Sequence, residues 1–142
     1  MVGRPPAGYS GTPLARKLGI KEGAAVLVIN APANYQSLLE PLPDGVRFVR
    51  RVSAATDLIH GFFTRKADLR TSLADLRSRI KPDAAVWISW PKKAAKVPTD
   101  IIEDTIREVA LPMGYVDIKV AAFDEVWSAL KLVIRKELRS RG

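Results

Sequence analysis

The stretch that most restricts how this chain can fold covers residues 84–110, AAVWISWPKKAAKVPTDIIEDTIREVA. It opens with a short apolar run rich in Val, Ile and Trp and breaks at Pro91 into a loop carrying Lys92, Lys93 and Lys96. After Pro98 it resumes with apolar residues at helical spacing. Strand, loop and helix in that order are the unit of an α/β protein, and ligands of open α/β sheets collect outside the carboxyl ends of the strands. The lysine loop, entering a helix that the sequence starts near Thr99 or Asp100, is therefore the first candidate site.

The totals agree with an enzyme-sized or module-sized single domain. A chain of 142 residues buries roughly two thirds of its unfolded surface. Its 47% hydrophobic and 27% charged residues are the proportions of a globular protein, not of a disordered one. A formal net charge of +8 favours acidic partners such as nucleotides, nucleic acid or anionic surfaces, without choosing among them. There is no cysteine, which removes disulfides, thiolate metal sites and cysteine nucleophiles, and the single histidine removes most zinc sites. No apolar run approaches the roughly 20 residues that cross a bilayer, and the opening MVGRPPAGYSGTP lacks the apolar core of a secretory signal. The expectation is a cytoplasmic protein with no metal and no membrane contact.

Along the chain, residues 1–13 hold three glycines and three prolines and read as a flexible lead-in. Residues 14–136 read as one α/β domain and 137–142 as a basic tail. LARKLGI at 14–20 predicts one or two helical turns ending at Gly19. AAVLVINA at 24–31 is apolar without alternation, the pattern of a strand covered on both faces, and Pro32 stops it. A short helix over 34–42 and the turn Pro43-Asp44-Gly45 follow. Residues 46–52 alternate as a second strand near an edge, where Arg47, Arg50 and Arg51 discourage pairing with another chain. LIHGFFT at 58–64 predicts a third, buried strand. The next helix spans 65–80, with Leu69, Leu73, Leu76 and Ile80 on one face. The fourth strand spans 85–90, and the helix after the lysine loop buries Ile101, Ile102, Ile106, Val109 and Ala110 before Pro112 and Gly114 close it. Two strands at 116–122 and 129–136 are joined by a connection too short for a parallel crossover, so they pair antiparallel. The predicted architecture is three-layer α/β: a mostly parallel Rossmann-like sheet of about six strands with an antiparallel C-terminal pair.

If the parallel strands share one end, that end collects the anion-binding candidates: Lys92, Lys93, Lys96 and Thr99, then Thr64, Arg65 and Lys66, then Asn30 and Asn34. The alternative reading is a solvated basic loop. A nucleotide site of the usual kind needs a glycine-rich turn after the first strand and an acid at the end of the second. Here the turn reads Asn30-Ala31-Pro32-Ala33-Asn34, the second strand ends in Arg50 and Arg51, and Asp57 is the nearest acid. His60, in mid-strand without an evident nucleophile beside it, reads as a hydrogen-bonded interior side chain, with proton transfer as the alternative. Asp124 and Glu125 read as a solvated turn, with acid–base chemistry as the alternative. Trp87 is core, and Trp90 and Trp127 are core or rim packing unless they stack on a ligand ring.

The element order, a mostly parallel sheet finished by a strand hairpin, is similar to that of S-adenosylmethionine-dependent methyltransferases shortened by at least one unit. More specifically, GYSGTPLARKLGIKEG at 8–23, WPKK at 90–93 and GYVDIKVAAFDEVWSALKLVIRK at 114–136 resemble a family of small bacterial proteins known as a domain of unknown function, number three thousand and fifty-two. That resemblance implies a Rossmann-like fold and no established activity or catalytic residue. With no catalytic set in view, the leading expectation is a non-catalytic module that binds an anionic ligand or acidic partner at the carboxyl ends of its strands. The alternative is a divergent, methyltransferase-like transferase that uses a nucleotide cofactor. Sequence-independent nucleic-acid binding comes third, because the basic residues are spread out and no stacking motif accompanies them. Oligomeric state is not legible.

Overall fold

The apolar run at 24–31 becomes β1 (Ala25–Ile29), an interior strand with a neighbour on each side, which is why it carries no polar face. In this computed structural model, which describes residues 13–139, six strands form one sheet in the order β2-β1-β3-β4-β6-β5. The others are β2 (Arg47–Val49), β3 (Leu58–Phe62), β4 (Ala85–Pro91), β5 (Tyr115–Ala122) and β6 (Trp127–Ile134). The strands β2, β1, β3 and β4 run parallel, while β6 is antiparallel to β4 and β5 to β6. The predicted sheet, with its antiparallel C-terminal pair, is the observed one. The lead-in lies outside the described residues apart from Pro13. The tail begins as a 3-10 turn at Lys136–Leu138, and Arg139 Nε donates to the Ile134 carbonyl at 2.7 Å.

Helices cover both faces unequally. On one face lie α3 (Lys66–Arg79) and α4 (Glu103–Ala110), which bury Leu69, Leu73, Leu76, Ile106 and Val109 against Ile59, Val86, Ile88 and Leu130. On the other lie two short helices, α1 (Leu14–Leu18) and α2 (Tyr35–Leu39), over Val26, Leu58, Phe62, Trp87 and Ala129. Each fully buried large side chain contributes roughly 1.5–3 kcal/mol, so these two cores carry most of the fold. Gly19 ends α1 in the left-handed region at φ 84°, and the indole nitrogen of Trp87 donates to the Leu18 carbonyl at 2.8 Å, pinning the helix end to mid-sheet.

Two expectations need correction. The second strand is three residues long, not seven, because the chain must cross β1 to reach β3 and does so over residues 50–57 without a helix. Such crossovers ordinarily take about ten residues or more, so the chain leaves the edge early. The helix after the lysine loop starts at Glu103, not at Thr99 or Asp100, which leaves Ile102 outside it and exposed, not buried. Both of those residues are engaged elsewhere: Thr99 Oγ1 donates to the Thr64 carbonyl at 2.6 Å, and the Asp100 carboxylate accepts from the Lys66 amide at 2.6 Å. Asp100 thus caps α3, a different helix from the one its position in the chain announces.

Candidate functional site

The sheet has a switch point between β1 and β3. From β1 the chain leaves toward β2 and from β3 toward β4, so the two loops part over the carboxyl ends and leave a crevice. Asn30 spans it. The residue stands in the left-handed region at φ 58°, and its side-chain amide donates to the Phe62 carbonyl at 3.1 Å. Asparagine is one of the few residues that adopts that backbone readily, and it does so here where a glycine turn would stand in the usual nucleotide site. Beside the crevice is an open hollow of about 470 Å³ over the ends of β1 and β2. Val28, Phe48 and Val49 form its floor, Tyr35, Gln36 and Ser37 one wall, and Ala31, Pro32 and Ala33 its rim.

Beneath this hollow runs a buried polar chain that sequence reasoning missed. The Tyr35 hydroxyl and His60 Nδ1 share a hydrogen bond of 3.0 Å, and His60 Nε2 and the Ser89 hydroxyl one of 2.7 Å. His60 and Ser89 are fully buried, and burial lowers the histidine pKa from 6.5 to about 3. The ring is therefore neutral, with one nitrogen donating and the other accepting. Phe62 stacks on it at 4.3 Å between centroids, and Phe123 meets it edge-on at 5.2 Å. His60 is the interior residue expected. Its serine partner was hidden because Ser89 lies on a neighbouring strand, opposite Phe62.

The anion-binding candidates do finish at one end of the sheet, as parallel β1, β3 and β4 require, but they fall into separate groups. Thr64, Lys66 and Thr99 are tied together through Thr99 and Asp100, the Asp100 amide donating to the Thr64 carbonyl at 3.2 Å, and Arg65 lies between Thr64 and Lys66. Thr64, Arg65 and Thr99 line a small hollow that also contains Asp100, whose carboxylate already occupies the α3 N-terminus. Lys93 and Lys96 are exposed, and Lys92 is fixed through its backbone amide to the Val126 carbonyl at 2.7 Å, on the β6 side. Asn34 is exposed at the start of α2, its carbonyl accepting from the Ser37 hydroxyl. Among the described residues, no hydrogen bond or ion pair joins the three lysines to Asn30, Asn34 or the Thr64 group.

The acids are placed away from the hollow. Asp57 sits at the amino end of the strands, where its carboxylate accepts from the Lys81 ammonium and, at 2.8 Å, from the Ala25 amide. These two bonds hold its pKa below the ordinary 3.8. Asp124 accepts from the Val126 and Trp127 amides, closing the β5–β6 turn, so a local structural role is the observed one. Trp87 and Trp90 are buried, and Trp127 is half-buried against Phe62.

No family profile matches the chain, and no curated protein matches it either. Solved structures do. A methyltransferase from Aquifex aeolicus described as dependent on S-adenosylmethionine superposes with a TM-score of 0.63 at 15% identity, covering 86% of this chain and 88% of that one. Aeropyrum pernix fibrillarin, described as natively bound to S-adenosyl-L-methionine, superposes at 0.56 and 10% identity, covering 84% and 73%. A TehB-like methyltransferase from Corynebacterium glutamicum, again described as dependent on S-adenosylmethionine, gives 0.55 at 13% identity, covering 91% of each chain. At such identities the likeness shows the fold. It also corrects the leading expectation of a non-catalytic anion-binding module: neighbours of this architecture are described as methyltransferases, so the transferase alternative accords better with them.

The cofactor those neighbours imply does not fit the residues present here in its usual pose. The turn after β1 has no glycine and contains Pro32, which lacks an amide hydrogen. The end of β2 offers Arg50 and Arg51 where an acid would hold ribose hydroxyls, and Asp57 is tied down at the opposite end of the sheet.

Proposed function

We propose that this chain is a divergent transferase of methyltransferase-like architecture that takes a nucleotide-containing cofactor in the hollow over β1 and β2. The observation that carries the reading is position: a hollow of about 470 Å³ stands over the carboxyl ends of two parallel strands, beside the switch point, where folds of this class bind ligands. Phe48, Tyr35 and Val49 offer apolar surface for a base, while Gln36 and Ser37 offer the few polar groups that such a pocket uses for orientation. The neighbours' described cofactor supports the reading through fold analogy alone. Membership of the small bacterial family resembled at 8–23, 90–93 and 114–136 belongs to the same proposal, as does a cytoplasmic location. Among the described residues no helix is long and apolar enough to cross a membrane.

A thermal-shift series with adenosine, S-adenosylhomocysteine, S-adenosylmethionine, ATP and NADP tests it. A true ligand at about 100 times its dissociation constant should add about 2.7 kcal/mol of stability. Ala33→Trp, at an exposed rim position, should abolish that shift while leaving the melting temperature of the free protein within a degree or two, by the general tolerance of surface positions. No shift with any compound, or a shift that survives Ala33→Trp, would remove the proposal.

A further inference from the structure

Resting on that reading, we infer that the nucleotide held at the ends of β1 and β2 carries a phosphate on or beside its ribose, and is not S-adenosylmethionine. The carboxyl end of β2 is where an open α/β sheet meets the ribose. An acid there accepts from free ribose hydroxyls, whereas an arginine accommodates a ribose phosphate. In this chain β2 stops at Val49 and the next two residues are Arg50 and Arg51, both exposed. With Val52 they line a second hollow, of about 410 Å³, between β1 and α3. The first hollow lies on the α2 face of the sheet and the second on the α3 face, with Val28 near the end of β1 in the lining of both.

The charge balance of this region points the same way. No carboxylate lines the first hollow. In the second, the one carboxylate is Asp75, and it is already paired with Arg79 at 2.8 Å. Arg50 and Arg51 form no salt bridge among the described residues. Each of these unpaired guanidinium groups presents a planar fork of N–H donors that matches phosphate oxygens. They are a poor neighbour for the positively charged sulfonium of S-adenosylmethionine. The short crossover over residues 50–57 is what keeps this flank open, since no helix covers the strand end there.

Isothermal titration at fixed ionic strength separates this inference from the reading beneath it. The probes are adenosine, S-adenosylhomocysteine, adenosine 2′,5′-bisphosphate, ATP and inorganic phosphate, against the wild type, the double variant Arg50→Ala/Arg51→Ala and the conservative Arg50→Lys/Arg51→Lys. The expected result is that at least one phosphorylated adenosine binds tenfold or more tightly than adenosine and S-adenosylhomocysteine. The alanine pair should lose that tenfold while keeping the adenosine affinity, and the lysine pair should recover part of it. If S-adenosylhomocysteine binds as tightly as the phosphorylated compounds, or the alanine pair changes nothing, the inference fails and the nucleotide reading stands. If inorganic phosphate alone matches the bisphosphate, the site is an anion site without a nucleotide, and both fail. If no probe binds, both fail as well.

Discussion

His60 is a single titratable group in the middle of a sheet, and its burial makes a measurable statement about stability. Its pKa falls from 6.5 to about 3 on folding, so between those values the unfolded chain takes up a proton that the folded chain refuses. Its contribution is therefore complete above pH 6.5 and is lost progressively as the pH falls toward 3. The slope from this one ring is at most about 1.4 kcal/mol per pH unit. Carboxylates add their own slopes below about pH 5, so urea unfolding from there up to pH 6.5 isolates the histidine. His60→Gln should flatten that interval and lower stability at neutral pH by about 1–3 kcal/mol, because Tyr35 or Ser89 loses a buried partner. An unaltered slope in the variant would mean that the ring contributes nothing to the pH dependence. Either way the ring is sealed: it has no exposed atom, and its polar partners are the Tyr35 and Ser89 hydroxyls.

At the scale of elements, the chain is held together by residues that serve an element other than their own. Asp100 caps α3 from the far side of β4, and Arg107 on α4 pairs with Asp117 on β5 at 2.9 Å as well as with Glu103 and Asp104 on its own helix. Phe63, just past β3, folds its ring back over Gly61, where an added methyl carbon would lie 2.6 Å from the ring. Asp100→Ala should therefore lower stability by about 1 kcal/mol and loosen the first turn of α3, with Lys66 and its neighbours losing amide-exchange protection. The α4 amides should keep theirs. Faster exchange at the start of α4 instead of α3 would show that Asp100 serves its own helix after all. Such cross-element bonds also mark the limit of what could be read in advance. The helix at 65–80 and the strand at 24–31 announce themselves through spacing and unbroken apolarity. The start of α4 does not, because Thr99 and Asp100 look like caps for the helix that follows them while their partners, Thr64 and Lys66, are more than thirty residues away in the sequence. The switch-point crevice was legible only as three strand ends. That Asn30 bridges it and that Asp57 lies at the opposite end of the sheet follow from strand order, which local pattern does not encode.

Taken whole, the molecule is a sheet with two edges that are guarded differently. At one, β2 is only three residues long and its ends carry Arg47, Arg50 and Arg51, so little backbone is offered to another chain. At the other, β5 is eight residues long, with Ile118 and Val120 exposed at 52% and 47%. A break in register between Asp117 and Lys119 bends that strand, and Lys119 stands directly across from Lys131. Like charges in that position destabilise the pair, and Lys119 and Lys21, after burial itself, help to lower the pKa of Lys131. Lys119 is thus a local loss that protects an otherwise apolar edge. Lys119→Val should raise the stability of the monomer by about 0.2–1 kcal/mol and promote association through β5. In sedimentation equilibrium its mean mass should climb with concentration more steeply than that of the wild type. Lys119→Glu should gain similar stability from Lys131 without that climb, since the edge keeps a charge. A valine variant that sediments like the wild type at every concentration would show that the bend at Ile118 alone guards the edge.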